Sequence, residues 1–502
     1  MSVLEKRQSG ILLHPTALPG KHGIGDLGPN AYKFIDDLHD MKQSLWQVLP
    51  LGPTDYSNSP YSSISTFAGN HLLISFDLLI RDGLLDSRLL DHSVTFSLKK
   101  IDFKNVIDFK IKILKEVSKN FKINASSLTQ KKFQDFCIKN SYWLDEYSKY
   151  CALLEENNRS SWIDWESKYL DEKIIYESKV IQFLFHQQWS ELRSYCKRKG
   201  IKIVGDMPIY VGYDSSDVFF NRSLFQLDEK GKMIFQSGCP PCEYQENGQL
   251  WGTPLYNWEY HEETDFNWWQ KRFKKIFEMV DVVRLDHFIG YSKYYRIPND
   301  GSSAKNGEWL KAPGKKLFNV LKDNIDDFNV FSEDLGDVTE DVIKLRDEFY
   351  FPGMHVLQFD FEDLKLEQHR ARNAVLCTGT HDNDTLMGWF NSLSSNDDDK
   401  KILTKDKLLK YFKCEIDEIN WEIINYAFAS SSNIVIIPIQ DIYGEGSIAR
   451  FNTPGTLSSN NWSWRFRDKE VSQSLKNKLA ELTEVHNRIN FKSSDFLNEE
   501  MI

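Results

Sequence analysis

Short apolar runs that end in polar residues recur along this chain, and stretches of helical periodicity separate most of them. The runs are rich in β-branched residues and short, so each predicts a buried strand. They lie near residues 11, 45, 201, 281, 330, 355, 375 and 434. Eight strands with intervening helices predict an α/β fold, a (β/α)8 TIM barrel with large insertions after barrel strands.

The first of these units sets the direction of the sheet. Residues 10–14 form an apolar run, and residues 44–50 form the next one. Between them Pro29 stands at the first position of a predicted helix, where its missing N–H costs nothing. A strand, a helix and a second strand make a βαβ unit, which implies parallel strands.

Two interruptions of the pattern predict insertions rather than further domains. We predict one catalytic barrel domain over residues 1–502, interrupted by a helical insertion at about 53–197 and a loop-rich insertion at about 212–270. The first insertion opens with a loop at 55–62 that combines tyrosines with hydroxyl side chains. Such a loop suits a sugar, although the composition also fits an ordinary surface loop.

Polar residues gather where the predicted strands end: His14, Asp206, Asp286, Glu333, His381 and Asp382. Barrels of this class place the active site at the carboxyl ends of their strands. Acids at several neighbouring strand ends are not explained by helix capping. Together they predict an active site at this end of the barrel.

The strand near residue 281 carries the most informative pair. Arg284 and Asp286 are two residues apart, so both side chains leave the same face of a strand. A guanidinium beside a carboxylate favours the ionised form of the carboxylate, and a fixed, ionised carboxylate can act as a nucleophile. The alternatives for this stretch alone are a structural ion pair or a helix N-cap.

Two other motifs predict little. Gly23, Gly25 and Gly28 form a G-x-G-x-x-G, but the first glycine does not follow its strand directly and the next strand lacks a terminal acid, as a dinucleotide site requires. Cys239 and Cys242 form an isolated C-x-x-C around two prolines. No second pair accompanies it, so we predict incidental thiols and neither a metal site nor a cofactor.

Composition narrows the partners and the chemistry. The net charge of −11 argues against nucleic acid, and no apolar run is long enough to span a membrane. An odd, thinly spread set of seven cysteines and the lack of a signal peptide predict a cytoplasmic protein. Several carboxylates without a Ser or Cys nucleophile pattern suit glycosyl transfer, whose oxocarbenium-like transition state they stabilise.

The chain resembles the 4-α-glucanotransferases called amylomaltase or disproportionating enzyme, a glycoside hydrolase family of the α-amylase clan. The motifs that carry the resemblance are LHPT (13–16), QVLPLGPT (47–54), SPY (59–61), FAGN (67–70), GDMP (205–208), WG (251–252), VRLDHF (283–288), EDLG (333–336), PGM (352–354), TGTHDNDT (378–385) and NTPG (452–455). They extend over almost the whole chain, and only the helical insertion matches weakly.

The resemblance implies specific roles. Asp286 would be the nucleophile of a retaining double displacement, Glu333 the general acid and base, and Asp382 the residue that holds sugar hydroxyls in a distorted ring. The residues implied in substrate binding are Arg284, His381, Asp206, Tyr61, Ser59, Trp251 and Asn452. The implied partners are maltooligosaccharides and other α-1,4-glucans; the motifs carry no information on oligomeric state.

This chain departs from the family pattern at a few positions that spare all three carboxylates. Ile289 stands where the family often has arginine, and Asn460 where Gly-Asn-Trp is usual. These changes bear on acceptor preference rather than on the reaction. Besides the transferase, two alternatives stay open: an α-glucan hydrolase that uses the same carboxylates, and a non-catalytic glucan-binding protein on the same barrel.

Overall fold

The computed structural model describes residues 3–90, 94–241, 246–301, 303–363, 365, 371–394, 399–466 and 471–489. Within these residues the chain forms twelve strands: β1 (Gln8–Leu12), β2 (Leu45–Gln47), β3 (Lys202–Met207), β4 (Phe235–Cys239), β5 (Gln249–Pro254), β6 (Val282–Leu285), β7 (Lys293–Pro298), β8 (Glu308–Lys311), β9 (Val330–Ser332), β10 (Gly353–Val356), β11 (Ala374–Cys377) and β12 (Ile434–Pro438).

Eight parallel strands build the barrel, in the order β10-β11-β12-β1-β2-β3-β6-β9. The two ends of this order meet where the Ser332 amide donates to the Pro352 carbonyl over 2.9 Å. All eight predicted strand positions are confirmed, and so is the α/β TIM-barrel prediction.

Burial on both faces explains the composition of these strands. Every residue of β1, β6, β11 and β12 is buried, because the barrel interior covers one face and helices cover the other. β1 lies between β12 and β2, with Gln8 opposite Ile434 and Gly10 opposite Leu45. A Cβ on Gly10 would lie 2.4 Å from the Cβ of Leu45, so only glycine fits there.

Helices cover the barrel and fill the interval between β2 and β3. Those of the described residues are α1 (Pro29–Asp40), α2 (Phe76–Arg81), α3 (Phe103–Asn124), α4 (Ser127–Lys139), α5 (Ser141–Glu156), α6 (Glu172–Arg198), α7 (Ser216–Phe220), α8 (Trp258–Glu263), α9 (Asn267–Met279), α10 (Ile289–Ser292), α11 (Gly314–Asn324), α12 (Glu340–Glu348), α13 (Leu357–Glu362), α14 (Leu386–Ser392), α15 (Asp399–Phe412), α16 (Ile419–Ala429), α17 (Ile439–Ile442) and α18 (Gln473–Val485). None of them is long and apolar enough to cross a membrane.

The long helix α6 joins the helical insertion to the barrel. It contacts α1 and β3 on the barrel side and α3, α4 and α5 on the other. One helix therefore serves both as a barrel wall and as the base of the inserted layer.

A second sheet stands apart from the barrel. Strands β5, β4, β7 and β8 form it in that order, with antiparallel pairing throughout. The hydrophobic pattern does not predict these strands, because glycine and proline interrupt β5 and because β4 pairs with β7 far along the chain. The sheet carries Trp251 on β5.

The two ends of the described chain meet at the amino-terminal end of the barrel. The last helix of the described residues is α18. Just beyond it, the Arg488 guanidinium donates to the carbonyls of Phe428 and Ser430. Arg7 donates to the same two carbonyls. Backbone carbonyls thus hold both arginines and join the end of the chain to its beginning.

Candidate active site

The carboxyl ends of four barrel strands bring the predicted catalytic residues together. Asp206 lies at the end of β3, and Asp286 directly follows β6. Glu333 follows β9, and the loop after β11 carries Asp382. The parallel pairing of β3 with β6 and of β6 with β9 makes the first three acids neighbours.

Arg284 is the centre of this cluster. Its Nε donates to Asp206 Oδ2 over 2.9 Å, and its Nη2 donates to Asp286 Oδ1 over 2.7 Å. Its Nη1 lies 3.5 Å from Glu333 Oε2. The arginine side chain is only 3% exposed, so water weakens these attractions little. A planar, permanently charged guanidinium reaches these three acceptors from three separate nitrogens, whereas the three donors of an ammonium lie on a single atom.

The buried carboxylate of Asp206 holds this arginine in place. Its side chain is fully buried, and Tyr61 donates its hydroxyl to Asp206 Oδ2 over 2.6 Å. Arg284 Nη2 also lies 3.2 Å from the Tyr61 hydroxyl oxygen. Ser59 orients this tyrosine, because its Oγ accepts the Tyr61 amide at 3.2 Å. In this structure Asp206 and Ser59 therefore reach the cleft through Arg284 and Tyr61.

The two carboxyls on either side of the arginine differ from ordinary surface acids. Asp286 and Glu333 side chains are 24% and 23% exposed, open to the cleft but largely enclosed. Burial, together with repulsion from neighbouring carboxylates, raises the pKa of both groups against the attraction of Arg284. The pair therefore retains a proton above the usual carboxyl range. The guanidinium lies closer to Asp286 than to Glu333, so its attraction opposes protonation of Asp286 more strongly.

The third acid faces the cleft from the opposite side. The Asp382 side chain is 46% exposed, and its Oδ1 accepts the Asn452 side-chain amide over 2.7 Å. His381 Nε2 lies 3.3 Å from the same oxygen. Burial lowers the pKa of His381. Asp382 is thus oriented by neutral donors while one face stays open to a ligand.

Aromatic rings line two parts of the cleft. On one side Tyr61 stacks on His381 with ring centroids 5.0 Å apart. On the other side Trp251 packs edge-on against His287 at 4.9 Å, and its indole N–H donates to Gln249 Oε1 over 2.8 Å. Trp251 is half-buried and belongs to the second sheet rather than to the barrel.

The residue after the nucleophile candidate has an unusual backbone. His287 has a φ of +49°, in the left-handed region that few residues other than glycine adopt. Its amide donates to Glu333 Oε2 over 2.6 Å. The next amide, of Phe288, donates to the Glu333 carbonyl over 3.0 Å. The turn after β6 is therefore bonded twice to Glu333.

Sequence reasoning missed three contributors to this site. Arg450 donates to the Asp382 carbonyl over 2.6 Å, and nothing in its local sequence indicates this. Trp462 lies 5.9 Å from the Tyr61 ring; its motif was recognisable, but the contact is long-range. His287 stands inside the motif of residues 283–288, yet its backbone conformation has no signature in the sequence.

No cluster of three metal-ligating side chains occurs among the described residues. Cys239 ends β4, whereas Cys242 lies outside the described residues, so the prediction of incidental thiols stays a prediction.

Comparisons with known proteins agree with one another. A family model described as 4-alpha-glucanotransferase matches residues 13–471. The 4-alpha-glucanotransferase of Synechocystis sp. is 41% identical over 508 residues, covering 97% of this chain and 99% of that protein. The one from Clostridium butyricum is 39% identical and covers 95% and 100%.

A solved structure extends the likeness to three dimensions. The amylomaltase of Streptococcus agalactiae in complex with acarbose superposes with a TM-score of 0.90 at 33% identity. The match covers 97% of this chain and 100% of that one.

Proposed function

Because this chain belongs to the 4-alpha-glucanotransferase family, we propose that it transfers segments of a 1,4-α-glucan by a retaining double displacement on Asp286 and Glu333. The observation that carries the proposal is the single guanidinium of Arg284 in contact with both carboxyl groups. Retaining enzymes hold their two carboxyls about 5–5.5 Å apart, and we expect that separation here.

In the first step Asp286 attacks the anomeric carbon of the donor and the glycosidic bond breaks. Arg284 favours the ionised form of Asp286 through its 2.7 Å hydrogen bond, against the burial that raises the pKa of this carboxyl. Glu333 gives its proton to the leaving oxygen, so the shortened glucan departs as a neutral alcohol. Burial raises the pKa of Glu333, which favours the protonated form that this step requires.

In the second step an acceptor hydroxyl attacks the glucosyl-enzyme. Glu333, now ionised, takes the proton of this hydroxyl, and the bond to Asp286 breaks. Asp382 and His381 hold the hydroxyls of the donor sugar and favour its distorted ring. Asn452 keeps the Asp382 carboxylate in place at 2.7 Å.

We propose maltooligosaccharides and longer α-1,4-glucans as both donors and acceptors. The acarbose held by the Streptococcus agalactiae amylomaltase is consistent with an oligosaccharide cleft. In this chain, Tyr61 and Trp251 offer aromatic rings on opposite sides of the cleft. We also propose a cytoplasmic location, since the described thiols of Cys196 and Cys377 are buried and carry no disulfide.

One assay tests the reaction against hydrolysis. The enzyme is incubated with maltotriose, and oligosaccharides and reducing ends are followed together. Transfer gives glucose and longer oligosaccharides at a constant number of reducing ends. A rise in reducing ends that matches the glucose released would establish a hydrolase instead.

A further inference from the structure

The turn between the two catalytic carboxyls has an unusual backbone. His287 is left-handed at a φ of +49° although it carries a full side chain. Its carbonyl accepts the Gly290 amide over 2.9 Å, which closes the turn. Conformations of this kind persist only where the surroundings impose them, and they cluster at functional sites.

The first consequence of the turn concerns Glu333. The His287 amide points at Glu333 Oε2 over 2.6 Å, so that oxygen acts as an acceptor. The transferable proton then belongs on Oε1. The preceding peptide plane fixes this N–H, and the left-handed φ directs the chain that follows back toward Glu333, where the Phe288 amide donates to the Glu333 carbonyl over 3.0 Å.

The second consequence concerns the opposite face of the residue. The half-buried imidazole meets Trp251 edge-to-face, with ring centroids 4.9 Å apart and planes at 88°. Its desolvated surroundings lower the pKa of His287 to about 4, so the ring is neutral near pH 7. The contact with Trp251 is therefore packing between uncharged rings, and it adds no charge beside Glu333.

We propose that His287 is a positioning residue that couples the seating of Trp251 to the orientation of the Glu333 carboxyl. This inference rests on the proposed roles of Glu333 and Trp251. One face of His287 is held by the tryptophan of the second sheet, and its amide holds the acid and base of the reaction. A displaced Trp251 would loosen the turn and let Glu333 rotate.

Two variants distinguish the contribution of the His287 backbone conformation from that of its ring. His287→Gly removes the ring but keeps the left-handed backbone at no steric cost, whereas His287→Ala removes the ring and disfavours that backbone. We expect His287→Ala to slow glycosylation by maltotriose roughly ten-fold or more relative to His287→Gly. With maltosyl fluoride, whose leaving group needs no proton, the two variants should differ by less than about three-fold.

The pH dependence of kcat in the two variants provides a second test. The charged groups around Glu333 are Arg284, Asp286, Asp206 and Asp382, and all of them stay in these variants. A hydrogen bond to a carboxylate lowers its pKa, so loss of the His287 amide bond raises it. The basic limb of kcat should therefore move to higher pH in His287→Ala and stay closer to wild type in His287→Gly.

The coupling itself is tested by a double-mutant cycle. Trp251→Ala and His287→Gly should each raise the ratio of hydrolysis to transfer, and the double variant should show no further rise. If the two substitutions instead raise the ratio by factors that multiply in the double variant, the proposed coupling is wrong. This cycle uses only the glycine variant, so it decides the question even if His287→Ala fails to fold.

Two controls keep the outcomes distinct. Tyr350 is also left-handed, at φ +57°, but is 81% exposed at the amino-terminal end of β10. Tyr350→Ala should affect melting temperature without changing the ratio of maltotriose to fluoride rates. Glu333→Gln should abolish activity on maltotriose and spare glycosylation by the fluoride; otherwise the proposed function itself fails. If that control succeeds while His287→Ala loses both donors equally, only this inference falls.

Discussion

The two sides of the cleft are built in different ways. On the donor side, Arg284, Asp206 and Tyr61 form a closed network of charged hydrogen bonds between 2.6 and 3.2 Å long. The barrel strands and the adjoining loop supply these groups. On the opposite side, Trp251 depends on one neutral hydrogen bond to Gln249 and on ring packing. Its support is a small sheet outside the barrel.

This difference separates the residues that we propose carry out the reaction from the residue that we propose selects the acceptor. A buried ion-pair network has one low-energy arrangement, since removing one partner leaves a charge unpaired. Ring packing against a separate sheet tolerates small displacements at little cost. The chain therefore fixes the groups that we propose make and break bonds, and it leaves adjustable the group that we propose selects the acceptor. Each prediction below tests one side against the other.

The largest effect is expected at the nucleophile. Asp286→Asn should lower the rate of transfer by about four orders of magnitude or more, because the amide cannot form the glycosyl ester. Maltotriose disproportionation measures it, and mass spectrometry of Glu333→Gln with maltosyl fluoride should show a sugar on Asp286. The matched control is Asp281→Asn, just before the same strand at its opposite end, where Asp281 Oδ2 accepts the Ile203 amide at 2.8 Å. It should lose stability and keep kcat.

A smaller effect is expected at Arg284, which contacts three carboxyl groups. Arg284→Lys should lower kcat by roughly 10²–10³-fold, because the donors of an ammonium lie on one nitrogen and cannot span acceptors placed around a planar guanidinium. The weaker attraction also lets the pKa of Asp286 rise further, so the acid limb of kcat/KM should move to higher pH. Arg193→Lys is the control, since Arg193 pairs with Asp281 away from the cleft. An unchanged acid limb in Arg284→Lys would contradict the assigned role.

On the other side of the cleft the effect should be one of selection. Trp251→Ala should raise the ratio of hydrolysis to transfer roughly ten-fold while Asp286 is still glycosylated, because water competes once the acceptor loses its ring platform. Glucose, longer oligosaccharides and melting temperature are measured on the same variant. Trp309→Ala is the control, because Trp309 packs on Tyr295 within the same sheet. An unchanged ratio at full stability would remove Trp251 from the acceptor site.

The smallest effect is expected at Cys239, which ends β4, and at Cys242. The double substitution Cys239→Ser and Cys242→Ser should leave activity within a few-fold, because we predict that neither thiol binds metal. Elemental analysis of the purified protein checks this directly. Stoichiometric zinc would show that a metal fixes the second sheet, and the contrast between the two sides would then be weaker.

The same contrast between the barrel and the second sheet determines which strands can be predicted from the sequence. The barrel strands are visible because each is a continuous buried run, as in the all-buried Ile434–Pro438. The second sheet is not, since its strands alternate weakly and pair across long intervals. Arg284 and Asp286 are visible as neighbours on one strand. The bond from Tyr61 to Asp206 joins residues far apart in the chain. The place of Asp206 at a strand end made it a candidate, whereas only the resemblance to a family singled out Tyr61.

The position of β1 between β12 and β2 has a consequence for synthesis. The first strand leaves the ribosome early, but its partner Ile434–Pro438 is among the last elements made. A nascent chain that carries the catalytic strands β3, β6 and β9 therefore still has an unsatisfied edge on β1. Such edges invite pairing with other chains. Arg488, which donates to a carbonyl near the start of β12, follows later still. The edge of β1 that faces β12 therefore stays unpaired until Ile434–Pro438 has been translated.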